Sequence, residues 1–461
     1  MNRSIVIFAV IGALLLSACG PAATPVPPTT APAPTSPPLS TNTPVPTNTP
    51  GPTSTPAPTP TKVVEKVDIT FMAWGAPEEL AVWQKIADEF HAVYPNITVK
   101  MDVSDWTSYW EKLKTLLAAK TPPDVFAMDA PYYLDYQSRG VLLNLQPYLD
   151  KDPSLLTDVY PVTLQAYKLP DGYYGLPRDF QTIVVFYNKD MFDKAGVPYP
   201  KPDWTMNDLR QIAKKLTRYS KDGKKIEQFG FVADPWDMEL FWSSAIWAFG
   251  GDIISPDHTK TLIGEPKARE AWKLVSDMMF VDKSWPDQNT VGQYGQDLFQ
   301  AGIAAMTPIG HWAIPGYATA EFKWDVVPMP AGPAGRATSV NSAGFVIGKD
   351  SKHPDAAWAF IRYCLSQAGQ TRLTEMGLAI PVLKSVANSP VFLNQKTVNI
   401  NQQVFLDSLA FAHMKPVFKG YDEWASAVGD GMAPIWTGEA NLNKTLDKVV
   451  PEADAVLAKN K

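Results

Sequence analysis

The residues with the most chemistry to offer are aromatic rings and carboxylates placed where the chain turns. Trp74 ends one β-rich run, Asp129 and Tyr132 follow another, and Asp179 precedes a third. Phe241 and Trp242 open an aromatic run that reaches Trp247, Trp312 follows Gly310 and His311, and Tyr421 and Trp424 lie at a helix start. Flat rings bury apolar faces, and carboxylates, amides and guanidinium groups exchange hydrogen bonds. A pyranose makes both demands at once, with apolar C–H faces and a belt of hydroxyls, so a sugar cleft is the chemistry such a set would serve. The chain holds 15 Trp in 461 residues, a surplus consistent with that demand.

Each candidate has a second reading. Asp179 follows Arg178, so an ion pair or a hinge contact competes with ligand binding. Asn341 and Ser342, ahead of Gly344, either bond a hydroxyl or make a turn. His311 either donates to a ligand or supports the site from behind. Trp83, Trp110, Trp272 and Trp358 fall inside amphipathic helices and are expected in the core, as is Trp247 beside Ala245, Ile246 and Phe249.

Composition removes several classes. A net charge of −6 lacks the basic footprint of a nucleic-acid binder. Two cysteines cannot form a disulfide framework, and five scattered histidines argue against a zinc site, so no metal or cofactor is expected. An exported glycoside hydrolase would also use Trp and would need two acids facing one bond. Asp124 and Asp129 are candidates, yet Asp124 follows two prolines and opens a strand, which is turn chemistry. No GxSxG elbow, P-loop, HExxH or kinase set is present, and an enzyme is not expected. A surface adhesion module is the third class.

The N-terminus reads as an address. Met1 to Arg3 is a short positive segment, and the apolar run Ile5 to Leu16 is too short for a span of about twenty residues. Leu16-Ser17-Ala18-Cys19-Gly20 looks like a bacterial lipobox, in which the Cys19 thiol is acylated and residues before it are removed. Acyl chains at roughly 0.8 kcal/mol per buried CH₂ would anchor the protein at the membrane. Residues 20–62 form the next unit: of residues 21–61, 15 are Pro and 12 are Thr, with no charge. Such a segment has little to bury and is expected to be a disordered tether reaching on the order of 100 Å.

Residues 63–461 read as an α/β body. Val67 to Trp74 is strand-like, and Pro77 opens a helix to about His91 with acids in its first turn. Ile97 to Val103 reads as a strand, Tyr109 to Ala119 as a helix, and Asp124 to Met128 as a strand. This alternation implies βαβ units and a parallel sheet, whose ligands sit beyond the strand carboxyl ends, here Trp74 to Glu78 and Asp129 to Tyr133.

Several segments carry a resemblance. Thr121-Pro122-Pro123-Asp124-Val125, Leu169 to Pro177, Val185 to Phe192 and Pro202-Asp203-Trp204-Thr205 occur in order. Ala301 to Met306 with Gly310-His311-Trp312, Val327 to Gly332, Gly344 to Ile347 and Ser351 to Trp358 follow. Across nearly all of residues 66 to 461 this order resembles the extracellular solute-binding proteins of ABC importers, the maltose- and glycerol-phosphate-binding type.

The resemblance implies a two-lobe periplasmic-binding-protein fold with a ligand cleft between hinge-linked lobes. The first lobe would be about 66–182 and 329–378, and the second about 183–328 and 379–461. Crossings are expected near Asp179 to Ile183, Pro328 to Pro330 and Ala379 to Pro381. It implies that Trp74 to Glu78, Asp129, Tyr132, Phe241, Trp242, Trp312 and Trp424 fall where the family lines its cleft. The expected ligand is a mono- or oligosaccharide, with glycerol phosphate or a peptide as the alternative; dispersed arginines lean against phosphate. The expected partner is a membrane permease, the expected state a monomer, and the expected location the outer face of the cell membrane or the periplasm.

Overall fold

A computed structural model describes residues 65–75, 77–235 and 237–460, with the side chain of Glu78 excepted. The lipobox at Cys19 and the tether of residues 20–62 lie outside the described residues, as does the Glu78 side chain. Val67–Trp74 forms strand β1, Pro77–Val93 helix α1, Ile97–Ser104 strand β2, Trp106–Ala118 helix α2 and Val125–Asp129 strand β3. These follow the expected alternation closely. Helix α1 buries Val82, Ile86 and Phe90 along one stripe with Trp83 and Ala87 beside them, the i, i+4 spacing of a core-facing helix.

The register of the first sheet sets up the site. β1 pairs with β2 in parallel from Val67 opposite Ile97 to Trp74 opposite Ser104, and with β3 on its other side. Trp74 therefore ends beside the start of α2, where Asp105 accepts from the Ser108 N–H and caps the helix. Trp106 in its first turn is brought next to Trp74. Beyond β3 the strand Ala343–Ile347 runs antiparallel with Ala343 opposite Asp129, and Gly175–Pro177 closes the edge.

A second, antiparallel sheet orders Met306–Ile309, Val184–Asn188 and Trp324–Pro328. Its central strand alternates: Val184 and Phe186 join the first apolar core, and Val185 and Tyr187 join the second. A third sheet, ordered Ile380–Pro381, Asp179–Thr182, Thr338–Asn341 and Ala412–Met414, carries the chain between the two cores.

Three features differ from expectation. Ile380, Val382, Phe392 and Phe405, expected in the second lobe, pack in the first core. Met329 and Ala337 lie in the second core, and the Ala331 N–H bonds the Trp204 carbonyl at 3.0 Å. The hairpin formed by Ala331–Gly332 and Gly335–Arg336 thus stays with the second core, and the chain returns through Thr338–Asn341, later than Pro328 to Pro330. In addition Ala412–Met414 joins the connecting sheet as a further strand, parallel to Thr338–Asn341. Trp83, Trp110, Trp247, Trp272 and Trp358 are all buried, as amphipathic placement demands. Among the described residues no helix is long and apolar enough to cross a membrane.

Candidate ligand-binding cleft

A cavity of about 320 Å³ opens where the first sheet's carboxyl ends meet the connecting sheet. Its wall includes the indoles of Trp74, Trp106 and Trp312, with Asp129, Asp179, Gln181 and Asn341 from strand ends. Asp237 and Glu239 reach it from the π-type turn that begins Met238–Trp242, where Asp237 accepts from the Glu239 N–H at 2.8 Å. Lys415 reaches it from just past Ala412–Met414. Trp74, Asp129, Asp179, Trp312 and Asn341, all expected from the sequence, meet here.

The polar groups form two buried sets. Asn341 Nδ2 donates to Asp129 Oδ1 at 2.6 Å and lies 3.3 Å from Glu239 Oε2. Lys415 Nζ donates to Glu239 Oε2 at 3.0 Å and stands 3.8 Å from Asp129 Oδ2. Burial pushes Asp129 above the usual carboxylate range against the opposing pull of Lys415, and it pushes Glu239 up to about 7. Burial alone would lower Lys415, but the fields of Glu239, Tyr421, Asp129 and Asp237 hold its pKa well above the ordinary value. In the other set Arg178 Nε donates to Asp179 Oδ2 at 2.7 Å, and the guanidinium lies over Trp74 at 5.4 Å and Trp83 at 5.0 Å. Both readings of Asp179 therefore hold geometrically: it is ion-paired and it faces the cavity.

Tyr167 braces this wall, its hydroxyl set 2.9 Å from the Met128 carbonyl and 2.7 Å from that of Ser342. Those residues precede Asp129 and follow Asn341, so one phenol holds the backbone behind both.

The remaining expected residues stand elsewhere. Phe241 packs against Trp285 at 5.4 Å and Trp242 against Trp272 at 4.9 Å, both in the second core. Trp424 is fully buried with its indole N–H donated to Thr261 Oγ1 at 2.9 Å. None of the three lines the cavity. The turn from Met238 points Glu239 at the cavity and its aromatic successors into the core, a choice of helical face that side-chain type does not reveal. Tyr132 stacks on Trp110 at 4.6 Å and meets the buried Tyr421 at 5.5 Å, and neither is among the residues lining the cavity.

His311 supports the site from behind. It is fully buried, its backbone N–H donates to Gln181 Oε1 at 3.0 Å, and its Nε2 lies 3.0 Å from Gln402 Oε1. An amide oxygen only accepts, so Nε2 carries the proton. Burial lowers this histidine from about 6.5 to about 4, with the Gln402 bond opposing. The unfolded chain binds a proton here near pH 6.5 and the folded chain does not, so the stability this site contributes is whole above pH 6.5 and lost as pH falls toward 4. The loss amounts to about 3 kcal/mol. In thermal melts between pH 7 and 4, His311→Gln should lose stability less steeply than the parent; parallel curves would refute the assignment.

Sequence reasoning missed Glu79, Trp106, Arg178, Gln181, Asp237, Glu239 and Lys415. Trp106 was legible in principle, because Asp105 three residues before Ser108 is a capping signal that starts the helix ahead of Tyr109. Lys415 carried no local signal.

The fold and this cavity define a two-lobed binding protein that holds a small molecule between its parts. A model of bacterial extracellular solute-binding proteins matches residues 74–371, and the chain belongs to that family. Its work lies outside the cytoplasm, and it is a binding protein of the transporter type rather than an enzyme. Among solved structures, an ABC substrate-binding protein from Listeria monocytogenes in complex with cycloalternan superposes with a TM-score of 0.79 at 27% identity, covering 86% of this chain and 100% of that one. The maltotriose-binding protein of Pyrococcus abyssi is 25% identical, covering 70% of this chain and 68% of its own. The galactooligosaccharide-binding protein of Bacillus subtilis is 22% identical, covering 81% and 88%.

Proposed function

We propose that this chain is the carbohydrate receptor of an ABC importer. It binds a mono- or oligosaccharide in the cleft and hands it to a membrane permease by closing on it. The observation that carries the reading is the cavity wall itself, where three indoles stand beside carboxylates and amides from both sides of the connecting sheet. Rings take the sugar faces and the polar groups take the hydroxyl belt. The names of the relatives above support the same class. Acylated Cys19 and the tether would hold this receptor, as a monomer, on the outer face of the membrane. A phosphate-bearing ligand is disfavoured, because both wall cations are already paired, Arg178 with Asp179 and Lys415 with Glu239.

Contacts on both lobes favour the closed state only through differential affinity, so binding must appear as closure and as stabilisation. Residues 62 to 461 titrated with mono- and oligosaccharides, glycerol phosphates and short peptides should show saturable quenching of tryptophan fluorescence and a raised melting temperature with one sugar class. A response confined to phosphates or peptides would overturn the ligand and keep the fold.

A further inference from the structure

We propose that the saccharide held in this cleft carries a protonated amine, an amino sugar rather than a neutral one; the inference rests on the carbohydrate reading above. Five carboxylates line the cavity, those of Glu79, Asp129, Asp179, Asp237 and Glu239, against the two cations Arg178 and Lys415. The acidic side chains of the wall thus outnumber the basic ones by three. Part of that charge is out of water: Asp129 is 3% exposed and Glu239 6%. Buried carboxylates without compensating charge are costly, and their field acts strongly across a low-dielectric cavity.

The hydrogen-bonding capacity has the same bias. Among the described residues, Asp129 Oδ2, Glu239 Oε1 and Asn341 Oδ1 are buried acceptors with no hydrogen-bond partner, Lys415 Nζ standing 3.8 Å from the first of them. The one unpartnered buried donor on the lining side chains is Arg178 Nη1. The three acceptors belong to side chains already drawn together around Asn341 Nδ2. A neutral hydroxyl donates a single proton and leaves the repulsion among the carboxylates in place. An ammonium group supplies three donors, no acceptor and a compensating charge.

The test is calorimetric titration of the full chain with matched sets: glucose, galactose and mannose and their disaccharides, each against its 2-amino-2-deoxy and N-acetylated counterparts. In any set that binds, the amine should bind at least tenfold tighter than both neutral members. Glu239→Gln should narrow that ratio. Asp237→Asn, at an exposed side chain with less bearing on folding, should narrow it independently. A ratio near one, or one favouring a neutral member, overturns the amine assignment and leaves the carbohydrate reading standing. A ratio untouched by both variants removes these carboxylates as its origin and overturns the proposal. Heat from no sugar in a folded protein removes both readings together.

Discussion

Replacing Lys415 by methionine should destabilise the body by roughly 3–5 kcal/mol at pH 8 and by much less at pH 5. The side chain is 9% exposed and holds Glu239 and Asp129, at 3.0 and 3.8 Å, as the only cation paired with either among the described residues. Removing it leaves two carboxylates buried together. Burial already lifts Glu239 to about 7 with Lys415 opposing, so loss of the lysine lifts both acids further. A carboxyl whose folded value is raised is tolerated below its ordinary range, near 4.5 for Glu and 3.8 for Asp. Stability is then lost as pH climbs through the folded value. The gap between parent and variant must therefore widen from pH 5 to pH 8, in urea unfolding followed by tryptophan fluorescence. A gap that stays constant with pH would mean that Lys415 contributes by packing and that the three charges are not coupled.

Gly310→Ala should abolish most ligand affinity while leaving the melting temperature nearly unchanged. Gly310 has φ −86° and ψ 176°, an extended backbone that alanine adopts without strain. The obstacle is a neighbour: a Cβ here would stand 1.9 Å from Trp312 Cζ3 and 2.3 Å from its Cε3. The ring is the free end of a side chain, so it swings away instead of straining the fold, and in doing so leaves the cavity wall. Losing one buried indole from a binding surface costs about 2 kcal/mol, roughly thirtyfold in affinity. Gly310→Ala and Trp312→Ala should then weaken the same saccharide to similar extents. If Gly310→Ala binds as the parent does while Trp312→Ala fails, the ring has found room without leaving the site.

These two residues show what kind of information a linear reading carries. Trp312 was legible because glycine placed it on a loop, where a large ring has no core to fill. Trp74 and Asp129 were legible because they end hydrophobic strands of a parallel sheet, and such ends gather at one rim. Lys415 was not, since nothing around it distinguishes a cleft lysine from a solvated one. Its place comes from Ala412–Met414 pairing with Thr338–Asn341, a contact between distant parts of the chain. Glu239 was missed and Trp242 misplaced for a local reason: Met238–Trp242 is a π-type turn, in which positions three apart do not share a face as they do on an α-helix.

By itself the sequence determined the α/β class, the order of the first strands and helices, and half of the cavity's aromatic and acidic wall. Those properties follow from periodicity, composition and strand ends, which are written within short windows. Only the tertiary structure decided which carboxylates share a cation, which tryptophans face the cavity, and where the chain returns between its two cores. Each of these depends on which distant segments become neighbours, and pairing of that kind is set by the packing of both cores at once, beyond the reach of any single stretch of residues.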